Sequence, residues 1–279
     1  MSNKSGLGSI FSTAFFLLIL FISSGGLGDI FTELTKESYP AQAYNEEKTQ
    51  LAGFFGDKIN TYPDNFSRFS RSWEALKADW NATWHAYEPY VRESYNEIKE
   101  YPNAKAIQRG GTVLSSAHTR VERYWAGIYD WVVQKNNKRL DNVAASFAWF
   151  AKENEFSRTQ LLELVVKMVQ RIPYNIPEER KYGLYSPLEV LESNRGDCDS
   201  KSLLAVILLK RLGYEAAVMA SDYYHHAMLG VAGPAVGTSL EYRATRYYFV
   251  EMTNKNRTIG ELPGECSDTS KWYVVPVGK

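Results

Sequence analysis

Cys198 is one of two cysteines in this 279-residue chain, and His225-His226 are half of its four histidines. A cysteine and a histidine can together run thiol-based acyl transfer. That chemistry needs a thiolate, a base that takes and returns its proton, and a group that orients the base. The turn-like stretch Ser193-Asn194-Arg195-Gly196-Asp197 precedes the cysteine and cannot easily continue a helix. After it, residues 202–209 are almost wholly apolar, Lys210 and Arg211 fall in a last turn, and Gly213 supplies the stop. A helix apolar on all sides is a buried, central one. Cys198 is therefore expected at the N-terminus of a buried helix, where free N–H groups and the helix dipole favour an anion and can lower a thiol pKa. In a strand, His225 and His226 point to opposite faces, so only one of them can face that helix. Each residue also has a plain structural reading: a buried cysteine is often an inert small apolar group, and a strand histidine is often a satisfied core or surface residue.

The elements that must position these groups follow from periodicity. Residues 216–221, 226–231, 242–253 and 272–277 are rich in Val, Tyr and other aromatics and are predicted strands. Gly233-Pro234 to Gly237 and Leu262-Pro263-Gly264 are the turns between them. Upstream, Asp141 begins a predicted helix holding Val143, Phe147, Trp149 and Phe150. Ser157 with Gln160 forms a capping box ahead of Leu161, Leu164, Val165, Met168 and Ile172, and Pro173 closes that helix. Ser186 as N-cap with Pro187 at the first helical position predicts a short helix to Glu192. Further upstream, aromatic residues from Phe66 to Tyr95 recur at three- and four-residue steps, which predicts a long helix over 65–100, kinked or broken at Pro89. A second helix is expected over about 112–135. The aromatic stripe is read as a packing face for a neighbouring helix, with a ligand- or polysaccharide-binding face as the alternative. Helices followed by strands give an α+β fold with an antiparallel sheet.

Several segments resemble the transglutaminase-like superfamily of cysteine enzymes. Gly196-Asp197-Cys198-Asp199-Ser200-Lys201-Ser202 resembles its Gly-Asp-Cys signature, and Leu212-Gly213-Tyr214-Glu215-Ala216 its helix exit into the next strand. His226-Ala227-Met228-Leu229-Gly230-Val231 is similar to its His-Ala strand, and Val250-Glu251-Met252-Thr253 stands where an Asp-Pro-Thr-like segment is usual. Val169 to Tyr174 and Ser186 to Leu191 also look like family landmarks. The resemblance covers about residues 157–279. It implies a papain-like core, with the Cys-bearing helix packed on an antiparallel sheet, behind an N-terminal helical segment. It also implies a triad: Cys198 as nucleophile, His226 as base and then general acid, and Glu251 in place of the usual Asp. Oxyanion stabilisation would come from the Cys198 backbone N–H and one upstream polar donor, with Gln170 as candidate; a solvent-facing helix residue is the other reading of Gln170. Some relatives bind calcium near this cysteine. Here Ser200 stands where a further acid would be expected, so Asp197 and Asp199 are read as helix N-terminal capping groups.

Composition narrows the partners. Thirty-two basic residues balance thirty-two acidic ones, and no basic run appears, so nothing asks for nucleic acid. No cofactor and no metal is expected: Cys198, His225, His226 and Cys266 lack the paired spacing of a zinc site, and no phosphate- or dinucleotide-binding glycine motif is present. Two cysteines are no disulfide framework, and a free Cys198 is preferred over a Cys198–Cys266 bridge. At the N-terminus, Lys4 precedes an uncharged stretch to Asp29 with an apolar core at residues 10–22. Residues 1–28 are expected to be a signal peptide or membrane anchor that places the body outside the cytoplasm. The expected division is then 29–140 as a helical accessory region and 141–279 as a transglutaminase-like domain. The function expected is an exported enzyme acting on protein or peptide amide bonds through a Cys198 thioester, with hydrolysis preferred over cross-linking. The alternative is a non-catalytic binding or scaffold module that grips a partner through Trp73, Trp80 and their neighbours.

Overall fold

The structure is a computed structural model that describes residues 66–75, 78–101, 118–233 and 235–278. In chain order the elements are β1 (Phe66–Ala75), β2 (Ala78–Tyr87), α1 (Glu88–Ser94), α2 (His118–Asn136), α3 (Asp141–Glu153), α4 (Arg158–Arg171), α5 (Pro187–Ser193) and α6 (Cys198–Arg211). The strands β3 (Ala216–Ser221), β4 (His226–Val231), β5 (Ser239–Tyr242), β6 (Thr245–Val250) and β7 (Tyr273–Val275) follow. The last five form one antiparallel sheet in the order β5-β6-β4-β3-β7. Mixed helix and antiparallel sheet is the class expected from the helix-then-strand order.

α6 is the hub. Leu203 through Leu209 have no exposed surface, because α6 packs on β3 and β4 on one side and on α2, α3, α4 and α5 on the others. The sheet meets it with small and branched side chains at alternating positions: Val218 and Ala220 of β3, Ala227, Leu229 and Val231 of β4, and Val250 of β6. The intervening residues, Ala217, Met219, Met228 and Phe249, turn to the opposite face and pack with Trp272 and Val274. Period-two alternation with both faces buried makes the central strands read as apolar throughout.

Local signals start and stop these elements. Ser157 and Gln160 form the reciprocal capping box at α4. The far end of α4 is tied down by the fully buried Lys201 of α6, whose Nζ donates to the carbonyls of Gln170 at 3.2 Å and Ile172 at 2.7 Å. These are carbonyls that a helix end otherwise leaves unpaired. Ser186 holds the N-cap position of α5, but its hydroxyl donates to Asn136 Oδ1 at 3.1 Å instead of capping the helix.

Two expected elements differ. Residues 66–87 are not helical: β1 and β2 pair antiparallel, with Phe69 opposite Trp84 and Trp73 opposite Trp80. The four-residue step between those aromatics fits a period of two as well as 3.6, so the stripe does not separate strand from helix. Pro89 does not break a helix but lies in the first turn of α1, where its fixed φ and missing N–H are harmless. The single strand expected over 242–253 is a hairpin, β5 and β6, turning at Arg243 and Ala244. Both turn residues have positive φ, 49° and 63°, as in a type I′ turn, and neither is the Asn or Gly that advertises one. Residues 1–65, with the expected anchor at 1–28, lie outside the described residues, as does the start of the helix expected over 112–135. No helix among the described residues is long and apolar enough to cross a membrane.

The residues ahead of α3 pack on the same core. Trp84 is buried against Phe147 and donates its indole N–H to Ser146 Oγ at 2.9 Å. Arg139 clamps the segment after α1, reaching Glu97 at 2.6 Å and Glu93 at 2.7 Å, and Asn136 donates to the other Glu97 oxygen. Burial pushes the Glu97 carboxyl up, and Ser186, Arg139 and Asn136 oppose that shift. Arg139→Met leaves Glu97 buried without its partner and should cost about 3–5 kcal/mol. Urea unfolding should show that loss, and adding Glu97→Gln should recover part of it.

Candidate active site

Cys198 is the first residue of α6, and Asp197 is its N-cap. Asp197 Oδ1 accepts from the Ser200 backbone N–H at 3.0 Å and from the Ser200 hydroxyl. Ser200 Oγ in turn accepts the Tyr185 N–H at 2.9 Å, which ties the helix start to the segment ahead of α5. Asp199 Oδ1 accepts a hydrogen bond from the Tyr129 hydroxyl on α2. The Cys198 thiol lies 3.9 Å from Asp199 Oδ2. It is 7% exposed and unbridged, as is Cys266. A bridge between them is precluded by their places: Cys198 belongs to the core that includes α6, while Cys266 packs on the far face of the sheet beside Trp272.

The capping reading of Asp197 holds, but the thiol is not lowered at rest. Burial pushes it up, and the charges of Asp199 and Asp197 push it further, against the N–H groups of Ala227 and Asp199 that point at the sulfur. The helix N-terminus is in place, yet two carboxylates in its first turn offset it. Burial drives Asp197 up as well, to about 7, with the neighbouring Asp199 charge adding to it and Ser200 opposing it.

His226 opens β4, next to the Ala227 N–H that meets the sulfur. Its Nε2 lies 2.8 Å from Glu251 Oε2. Glu251 sits one residue past β6, and its other oxygen accepts the Thr253 N–H at 2.7 Å and the Thr253 hydroxyl at 2.6 Å. Burial pushes the Glu251 carboxyl up, but the His226 ring and the two Thr253 donors outweigh it and hold the group at about 2. The longer Glu side chain thus reaches the imidazole from just beyond the strand end. Trp272 packs edge-on against the imidazole, with ring centres 6.0 Å apart and planes at 70°. His225 lies in the turn before β4 with φ 48° and is exposed. The choice between the two histidines is therefore made by the turn rather than by strand alternation.

Gln170 is not placed to stabilise an oxyanion. It is buried, and its Nε2 donates both hydrogens to backbone carbonyls, those of Glu251 at 2.8 Å and Arg257 at 3.1 Å. It holds the Glu251 segment against α4 instead. Its place near the end of an amphipathic helix gave no sign of which way the amide points. Other site residues carried no motif at all: Tyr129 behind Asp199 and Trp272 against His226.

An open cleft of about 930 Å³ runs past His226, walled by residues 170–174 on one side and 253–256 on the other. Tyr174, more than half exposed, stands on the first wall. One donor atom each from Asp197, Cys198 and Asp199 falls within 4.8 Å of the others. The carboxylates of that group are already engaged by Ser200 and Tyr129.

Two measurements test these electrostatics. The folded Glu251 value, about 2, lies below its ordinary 4.5. The stabilisation is therefore present above about pH 4.5 and is lost as pH falls toward 2, an effect on the order of 2–3 kcal/mol. Glu251→Gln lacks this titration, so wild-type and variant stabilities, compared by chemical unfolding, should converge across that window. Asp199→Asn should speed iodoacetamide alkylation of Cys198 at pH 7 by about tenfold, the effect of one unit of thiol pKa. An unchanged rate would mean that burial alone sets the thiol.

No curated protein and no solved structure matches the chain. Residues 130–251 match the family model described as Transglutaminase-like superfamily, a stretch that runs from within α2 through α6 and β4 to Glu251. Over these residues the chain is similar to the transglutaminase-like superfamily.

Proposed function

We propose that this protein cleaves amide bonds by acyl transfer through a thioester at Cys198, with water as the preferred acceptor. The reading rests on one observation above the others: the 2.8 Å pairing of His226 Nε2 with Glu251 Oε2 beside a cysteine at a helix start. Because Nε2 is engaged by the carboxylate, Nδ1 is the nitrogen left to exchange a proton with the thiol. Glu251, held ionised by Thr253, fixes that tautomer and offsets the charge when the ring is protonated.

The steps follow from the residues. His226 Nδ1 takes the Cys198 proton as sulfur attacks the carbonyl carbon, and the carbonyl π pair moves onto oxygen. The tetrahedral intermediate collapses, the C–N bond breaks, and the leaving amine takes the proton from His226. Water then adds to the thioester with His226 as base, and release of the acid returns the proton to sulfur. An amine in place of water would give transamidation. A resting thiol pushed up by burial and by two aspartates suits a neutral Cys–His pair that transfers its proton as the substrate binds. The open, polar cleft favours water as acceptor, since selection of an amine requires water to be excluded.

The purified protein should release p-nitrophenolate from p-nitrophenyl acetate in a burst of about one equivalent, as expected when acylation outruns deacylation. Cys198→Ala should abolish the burst. His226→Ala and Glu251→Gln should slow it, by about 10²–10⁴-fold for the histidine. A wild-type protein that gives no burst, with a Cys198 thiol that alkylates alike in wild type, His226→Ala and Glu251→Gln, would instead favour a non-catalytic scaffold. Casein incubated with and without a labelled primary amine then separates hydrolysis from transfer.

A further inference from the structure

Asp199 is held from two sides. Its Oδ1 accepts the Tyr129 hydroxyl, and its Oδ2 lies 3.9 Å from the Cys198 sulfur, within reach of a long S–H···O bond. A carboxyl group that accepts at both oxygens has no proton of its own to give. In this arrangement the thiol and the phenol keep their protons and Asp199 carries the charge. Burial pushes the half-buried Asp199 carboxyl up. The Tyr129 bond is the largest influence against that rise, ahead of the His226 charge and the thiol, while the Asp222 charge adds to it.

Tyr129 is itself fixed. It is fully buried, and Trp125, one turn earlier on α2, stacks on its ring with centres 5.4 Å apart and planes at 26°. The Trp125 indole N–H donates to Asp222 Oδ1 at 3.4 Å, and the Tyr273 hydroxyl of β7 donates to Asp222 Oδ2 at 3.1 Å. Asp222 directly follows β3, in the turn that leads to His226. Residues four apart share a helix face. One face of α2 thus meets the acid beside the cysteine through Tyr129 and the turn ahead of the histidine through Trp125. Both rings precede residues 130–251, the stretch that matches the family model. The other carboxylates near the thiol have donors of their own: Asp197 has Ser200, and Glu251 has His226 and Thr253. The phenols of Tyr174 and Tyr273 also lie in the field of this cluster.

We propose that Tyr129 is a positioning residue: its hydroxyl holds the Asp199 carboxylate charged and set against the Cys198 thiol, and so restrains the nucleophile until substrate binds. The place of this restraint in catalysis rests on the acyl-transfer reading of Cys198, in which the thiol gives up its proton only as substrate binds. Without the hydroxyl, a partly buried carboxylate has lost its main donor and takes up a proton, and the thiol is relieved of the charge that opposes its ionisation. A packing role for Tyr129 needs only the ring. This role needs the oxygen and runs through Asp199.

The test is the pH profile of iodoacetamide alkylation at Cys198, followed by mass spectrometry of the Cys198 peptide. It is run on the full-length wild type, Tyr129→Phe, Asp199→Asn and the double variant, with thermal unfolding to confirm that each is folded. Tyr129→Phe should move the profile about one unit toward lower pH, which raises the rate at neutral pH about tenfold. The double variant should coincide with Asp199→Asn, because the hydroxyl then has no charge to hold. Unchanged or slower alkylation in Tyr129→Phe would overturn the inference. So would an equal acceleration by Tyr129→Phe with and without Asp199→Asn, since Tyr129 would then act by packing and not through the carboxylate. Alkylation needs no turnover. A missing p-nitrophenolate burst would therefore remove the acyl-transfer reading, while the alkylation profiles still decide whether Tyr129 restrains the thiol.

Discussion

The structure depends on one constraint: α6 has no polar face and must be surrounded. Seven consecutive residues from Leu203 have no contact with solvent. Each fully buried Leu, Ile or Val of such a run is worth about 1.5–3 kcal/mol, and that gain requires cover on every side. The sheet supplies one side with small residues that let the helix approach closely, and α2 to α5 supply the rest. An element held from all directions has little freedom to shift or rotate. Its first residue is therefore among the most precisely located points in the fold, which is where a nucleophile benefits most from being fixed.

The same burial creates an electrostatic problem at that residue. The start of a buried helix concentrates free N–H groups, and the chain answers with Asp197 and Asp199, each satisfied by a hydroxyl from Ser200 or Tyr129. These carboxylates stabilise the helix start, and they also oppose ionisation of the thiol between them. The Glu251 carboxylate is treated oppositely. It is buried as well, but two Thr253 donors and the imidazole keep it charged. The aspartates beside the cysteine and the glutamate beside His226 are thus driven apart, one set toward neutrality and the other toward full ionisation. Such divergence comes from the environment and not from residue type.

The wall of the cleft is part of this arrangement. Lys201 is fully buried and binds the carbonyls of Gln170 and Ile172, while Gln170 binds the carbonyls of Glu251 and Arg257. A chain of polar contacts therefore runs from α6, through the end of α4, to the segment that carries the acid. Burial lowers Lys201 to about 8, with Glu251 acting in the other direction. The polar groups between Cys198 and Glu251 are thus spent on the scaffold, and the Gln170 Oε1 is left buried without a hydrogen-bond partner among the described residues.

What could be read from residues in order was whatever depends on neighbours along the chain. The run 202–209 announced a buried helix, Ser157 and Gln160 announced the start of α4, and the bounds of β3 and β4 came from composition and turns. These are local effects, set by periodicity and by caps that reach three or four residues. The aromatic stripe at 66–87 misled because a four-residue step serves a strand as well as a helix, and only pairing partners decide between them. The Arg243-Ala244 turn carried no conventional turn residue, so the hairpin became visible only through its cross-strand register. At the site, Cys198, His226 and Glu251 could be named from short motifs, but nothing in the sequence told where the Gln170 amide points or that Asp199 meets Tyr129 seventy residues away. Hydrogen-bond commitment and pKa depend on groups brought together from distant parts of the chain. The residue types at the centre are therefore written in the sequence, while their protonation and the donors left free for substrate are decided by tertiary packing.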